Sequence, residues 1–300
     1  MKPSKKNSPN KVLLASGGAA LAALAVAFAI GSNANEVLSV TSLRATTHIH
    51  GLAVDREDPS RVLIATHHGL FKAGQDGQAE RVSVVQDFMG FNPHPSDPKT
   101  LYASGHPARG GNLGFIASSD GGRTWTQVSA GLNGPVDFHQ MTVSRADPKT
   151  IYGSYRGLQV SRDGGKTWTI VGPTPEKLID LAASAKDASA LYAATEAGLL
   201  MSSDGGKSWR PLLEGAPVSL VEVAPDGALY AFVVGRGLMR SAEEPPRFTV
   251  AGGGFGDGYL LHLAIDPQNP NRLYGATARG EVLTSSDQGR TWSTFGGSNS

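Results

Sequence analysis

Histidine and carboxylate are the side chains from which this sequence could build chemistry. It has eight histidines and no cysteine, so any metal would be held by imidazole and carboxylate without thiolate. In an extended strand side chains repeat every second residue, so His48-x-His50 sets two imidazoles on one side. His68, His106 or His139 could complete a three-histidine site suited to zinc or copper. Asp87 or Asp137 could ligate as well, or orient an imidazole. The same two aspartates are the candidate catalytic acids, since glycoside hydrolysis uses paired carboxyls at a set separation. His67, His262, Tyr155, Arg156, Arg236 and Arg279 are further candidates for contact with a ligand.

Residues so far apart in sequence need a repeating frame to meet. The pattern Ser-x-Asp-x-Gly-x-Thr/Ser-Trp occurs four times, at Ser118–Trp125, Ser161–Trp168, Ser202–Trp209 and Ser285–Trp292. In each copy the aspartate (Asp120, Asp163, Asp204, Asp287) can accept backbone N–H bonds across a turn. The glycine permits positive φ, and the tryptophan buries a large ring. Successive tryptophans lie 43, 41 and 83 residues apart, so one copy between Trp209 and Trp292 has decayed. A second motif around Leu-Tyr-Ala occurs six times, starting near Arg61, Leu101, Ile151, Leu191, Leu229 and Leu273. Most copies follow an Asp-Pro, Asp-Gly or Asn-Pro turn, and each precedes a glycine-led strand. A period near forty in an all-β pattern predicts a six-bladed β-propeller of four-stranded blades over residues 47–297. Blade one lacks the tryptophan, blade five has lost the box, and blade two carries an insertion, Pro107–Asn112.

Chain direction then predicts a functional face. Strands alternate, so the starts of the inner strands A and the B–C turns share one mouth of the ring, and the boxes, as C–D turns, lie on the other. Seven histidines fall at the first mouth, and His94 alone lies toward the second. His50, Met89 and His139 share one repeat position, and His48, Asp87 and Asp137 another. The position before the strand C glycine holds His68, Arg156, Arg236 and Arg279, with His106 and Glu196 close by.

Composition bounds the rest. A net charge of +1 and 18% charged residues give no electrostatic case for nucleic acid. Residues 1–34 combine four lysines with the uncharged run Val12–Ile30, near the ~20 residues that span a bilayer. A hydrophobic N-terminal helix acting as a membrane anchor and a cleaved signal peptide with a small-x-small site at Ser32-Asn33-Ala34 are both open. Either places the remainder outside the cytoplasm, in a periplasmic or extracellular setting. Residues 35–46 are a linker in which Glu36–Ser42 alternates like a strand that could pair with the last blade and close the ring. Residues 298–300 are a tail.

Four boxes in a six-fold array resemble the sialidase-type Asp-box (BNR) β-propeller superfamily, over everything after residue 45. Thr47-His48-Ile49-His50-Gly51-Leu52, His68-Gly69-Leu70, Asp87-Phe88-Met89-Gly90-Phe91, Ser104-Gly105-His106-Pro107 and Asp137-Phe138-His139-Gln140-Met141 resemble more closely a bacterial family labelled sialidase-like glycosylhydrolase. Sialidases grip a carboxylate with three arginines, which the resemblance would carry to Arg156, Arg236 and Arg279, with Tyr155 or Tyr259 as the tyrosine. No Arg-Ile-Pro-type segment precedes the first blade, and no Tyr–Glu pair is marked out. Three functions are therefore weighed: a His-rich mouth binding a transition metal or small ligand, an exo-glycosidase on the same face, and a scaffold acting through a protein partner.

Overall fold

The computed structural model describes residues 36–253 and 255–297. It is a closed ring of six antiparallel blades, with the strands of each lying in the order A-B-C-D outward from the axis. The A strands are Ile49–Val54, Met89–Pro93, Gln140–Val143, Leu178–Ala183, Val218–Val223 and Leu260–Ile265. Each A strand touches the next around the channel, the sixth returning to the first. Blade five keeps its strands C and D, Gly237–Ala242 and Thr249–Gly252, without a box between them.

The repeats build the ring through contacts between blades. In each boxed turn the Asp side chain accepts several bonds; Asp163 Oδ1 takes Thr167 N at 2.9 Å and Lys166 N at 3.0 Å, and Oδ2 takes Thr167 Oγ1 at 2.7 Å. The box glycine then lies against strand C of the preceding blade. A Cβ on Gly165 would stand 2.0 Å from Phe115, and one on Gly206 would stand 2.2 Å from Leu158. The strand B tyrosines bury their rings, and several reach onward: Tyr152 donates to Ala188 O at 2.9 Å, and Tyr274 to Pro59 O at 2.9 Å.

Ring closure differs from the sequence expectation. Val37–Ser39 pairs with strand D of blade one, Gln78–Arg81, and adds a fifth strand there; it does not pair with the last blade. The following residues leave extended structure and form a helix, Val40–Thr46, with Ser39 as N-cap. Its Val40 and Leu43 are buried with Tyr274 and Phe295 of blade six, and Arg44 pairs with Glu281 at 3.0 Å. Blades one and six are thus joined by a wedge of apolar side chains, not by a shared sheet. Among the described residues no helix is long and apolar enough to cross a membrane. The predicted N-terminal apolar helix and the tail lie outside the described residues.

Phe138 is fully buried, its ring 4.8 Å from that of Trp168 and filling the space left by Gly153. Phe138→Ala should cost ~3–5 kcal/mol of unfolding free energy in urea, as a cavity that cannot collapse. Ile170→Ala, at a side chain 52% exposed on an outer strand, should stay within about 0.5 kcal/mol. Equal effects would contradict the packing described.

Candidate functional site

The ring encloses a central channel of about 670 Å³. Its mouth at blades one to three gathers histidines as the chain direction predicts. His48, His50, His67, His139 and His262 line it, and His106 sits beside His139 across Asp137. The imidazoles do not form one three-histidine site. Two separate groups form, each with two histidines and one aspartate: His50, His67 and Asp87, and His106, Asp137 and His139, with ligand atoms in each within 4.8 Å of one another.

The first group is positioned by close backbone approach. Asp87 precedes strand A of blade two, where Asp87 N donates to His106 O at 3.0 Å and Phe88 N to Thr66 O at 3.2 Å. Gly105, at φ 118, allows this; a Cβ there would lie 2.3 Å from Asp87 O. His67, from the B–C turn of blade one, donates from Nδ1 to Asp87 Oδ2 at 3.0 Å. The His50 ring meets the His67 ring edge-on at 4.2 Å. His50 Nε2 and Asp87 Oδ1 face each other at 3.7 Å, and both are buried with no hydrogen-bond partner. That separation is too long for a hydrogen bond.

His50 occupies a β-bulge. Pairing passes from Ile49–Thr66 to Gly51–Ala65 and skips it. Strict alternation therefore fails at His48-x-His50. His50 turns toward Asp87, while His48 rests with its ring 5.6 Å from that of His67, outside both groups. Burial, reinforced by the neighbouring imidazoles, pushes the His50 pKa down to about 3.

In the second group one oxygen serves two imidazoles. Asp137 Oδ2 lies 2.7 Å from His139 Nε2 and 3.0 Å from His106 Nε2, and the Asp137 side chain is only 8% exposed. Its Oδ1 is buried without a partner. The bond to Asp137 raises the His139 pKa above its ordinary value.

The other candidates are placed differently. His68, expected as a ligand, lies in neither group; its neighbour His67 takes that place. His262 faces the channel but donates from Nε2 to Ile49 O at 3.1 Å, latching blade six to blade one. Burial pushes its pKa down to about 4. Of the three arginines only Arg279 borders the channel. Arg156, at φ 53, holds its guanidinium 5.3 Å from the Tyr155 ring, and Tyr155 accepts a bond from Asn112 at 3.2 Å. Arg236 is exposed on its turn. His94, at the far end, accepts bonds from Ser96 N and Asp97 N and caps its own turn.

Sequence reading missed Glu222, whose strand position carries no motif. It faces the channel with Asp180, and burial pushes both carboxyls up to about 7. Both oxygens of Asp180 are occupied, by Leu181 N at 2.8 Å and Val221 N at 2.9 Å.

Residues 159–169, from strand C into the box of blade three, match the BNR/Asp-box repeat. That repeat sits in a ring of one five-stranded and five four-stranded blades around a channel. The chain is a six-bladed β-propeller with Asp-box turns. No curated protein sequence is significantly similar to it. The propeller is similar to the solved GH74 xyloglucanase from Xanthomonas campestris, with TM-score 0.56 and 19% identity over 87% of this chain and 46% of that one. It is also similar to YCF48 bound to D1 peptide (TM-score 0.53, 18% identity, 88% and 86%). A protein of unknown function from Bacteroides thetaiotaomicron gives TM-score 0.60 at 12% identity (83% and 71%). The chain spans about half the length of the xyloglucanase, and at these identities the likeness is one of fold.

The imidazole pKa values carry a sign. The unfolded chain takes up protons near 6.5, whereas folded His50 and His262 take theirs only near 3 and 4. Acidification therefore costs stability as pH falls through 6.5, until the folded values are reached. In an NMR titration of the metal-free protein, His50 and His262 should remain neutral at about pH 5, while His139 titrates above its ordinary value. Titration of His262 near 6.5 would contradict the latch.

Proposed function

We propose that this propeller is an extracytoplasmic binding protein whose His-rich mouth holds a transition-metal ion, zinc or copper, at the channel where a small ligand enters. The observation that carries the reading is the buried pair of unpartnered atoms, His50 Nε2 and Asp87 Oδ1, 3.7 Å apart. A buried imidazole nitrogen and a buried carboxylate oxygen left without hydrogen bonds are costly. Two ligands on one tetrahedral ion with bonds near 2.1 Å stand roughly 3.4 Å apart, so a small contraction would serve both. His67 supplies a third donor, and its bond to Asp87 fixes the orientation of the carboxylate. Two imidazoles and one carboxylate leave coordination open toward the channel. A bound ion would supply positive charge and Lewis acidity there. The setting outside the cytoplasm, and attachment to or passage across a membrane, rest on the lysines and the apolar run before residue 35.

The exo-glycosidase alternative has less to draw on. Asp137 already serves two imidazoles, and Arg156 and Arg236 do not join Arg279 at the channel. A scaffold function would use the exposed Arg156, Arg236 and Arg279 as a docking patch, and it predicts a stable partner with no bound metal.

Elemental analysis and zinc calorimetry on the full chain, purified without a histidine tag, test the proposal. Wild type should carry or take up zinc or copper, and His50→Ala and Asp87→Asn should each weaken binding by more than about a hundredfold. Unchanged metal content in His50→Ala would sink it.

A further inference from the structure

The second His/Asp group has a feature that the first lacks. His106 Nδ1 lies 2.8 Å from Gly111 O, and a carbonyl can only accept, so the ring proton of neutral His106 sits on Nδ1. Its Nε2 then carries a bare lone pair, and that lone pair faces Asp137 Oδ2 at 3.0 Å. Oδ2 already accepts from His139 Nε2 at 2.7 Å. Two lone pairs facing each other beside a carboxylate that is 8% exposed need a positive charge between them, which either a second ring proton or a bound cation supplies. Asp137 Oδ1 is buried and unpartnered as well.

The surrounding chain is built to hold this arrangement. An Nδ1–H bonded to a backbone carbonyl is the arrangement that presents Nε2 to a metal. The carbonyl comes from the blade-two insertion, where Gly110 and Gly111 adopt φ 82 and 89. Asn112 ties the end of that insertion to Pro135 O at 3.0 Å, two residues before Asp137. The insertion thus fixes the tautomer of one ligand and the approach of another. It gives the longer blade-two connection a chemical purpose.

We infer that the mouth holds two cations, the second bound by His106, Asp137 and His139 at the junction of blades two and three. The inference rests on the metal reading of the first group, and extends it from one ion to two. The groups repeat one design: an aspartate ahead of strand A and a histidine from the preceding blade's B–C turn. The third ligand differs, because the repeat position filled by His50 in blade one is Met89 in blade two, and His139 of blade three replaces it.

Zinc titration of the full chain by calorimetry, with elemental analysis after desalting, decides the matter. Wild type should bind two zinc ions per chain. His106→Gln and His139→Gln, both at part-exposed side chains, should each reduce this to one. Asp87→Asn should remove the other ion and leave the second in place. One zinc in wild type, unaffected by His106→Gln and His139→Gln, would overturn the second site and leave the first standing. One zinc lost in His106→Gln but kept in Asp87→Asn would support this site and overturn the first. Uptake of neither zinc nor copper would overturn both. Cobalt(II) gives a parallel readout: its visible absorption per chain should halve in His106→Gln, and an unchanged spectrum would count against the inference.

Discussion

The contact on which the propeller depends is that between a box glycine and strand C of the blade before it. Gly122 lies against Leu70, Gly165 against Phe115, Gly206 against Leu158 and Gly289 against Leu238. In each case any side chain would collide, so the turn sets how closely one blade approaches the next. The aspartate holds the turn in the one conformation that brings this glycine forward, and tryptophan seals the gap from the side. Where blade five has no box, Glu243 takes over part of the task. It is buried, accepts from Ala185 N at 3.2 Å and lies 3.3 Å from the Tyr192 hydroxyl, both in blade four. Fixed spacing repeated around the axis is what closes six blades into a ring.

Once the ring is closed, chemistry follows from where its inner strands begin. Sequence-distant residues reach one rim because every A strand starts there and every B–C turn returns there. Most A strands also carry a register shift near their start, and in blades one, four, five and six it falls one residue in from the first pair. A bulge re-aims a side chain without moving the strand. In blade one the residue so re-aimed is His50; in blades four, five and six it is Ile179, Ser219 and Leu261. The same irregularity is therefore structural in most blades and has been given an imidazole in one.

Much of this was legible from sequence because it was periodic. Boxes and Leu-Tyr-Ala segments recur at a near-constant interval, so blade count, strand order and the clustering of histidines at one mouth could be read directly. What could not be read lies where periodicity breaks. Alternation predicted that His48 and His50 act together, and the bulge separates them. A turn can present either of two adjacent residues, and no pattern distinguishes His67 from His68. The segment after Glu36 alternates for only a few residues, so its pairing with blade one depended on the helix Val40–Thr46 wedging its neighbour against blade six. His262 reads as a ligand by residue type, and only the approach of Ile49 O makes it a latch.

Two populations of aspartate make the functional argument independent of any single distance. At the box rim every carboxylate is saturated: Asp163 and Asp287 gather hydroxyl and amide donors that hold their pKa near 2, and none of these side chains has an oxygen to spare. At the other mouth Asp87 and Asp137 are more deeply buried, yet each keeps an oxygen with no donor at all. Burial raises the cost of an unmet carboxylate, so the unmet ones belong at the exposed rim if structure were the sole concern. Their placement is reversed. Asp87 and Asp137 each leave one buried oxygen open beside paired imidazoles, whereas Asp163 and Asp287 have both oxygens bonded.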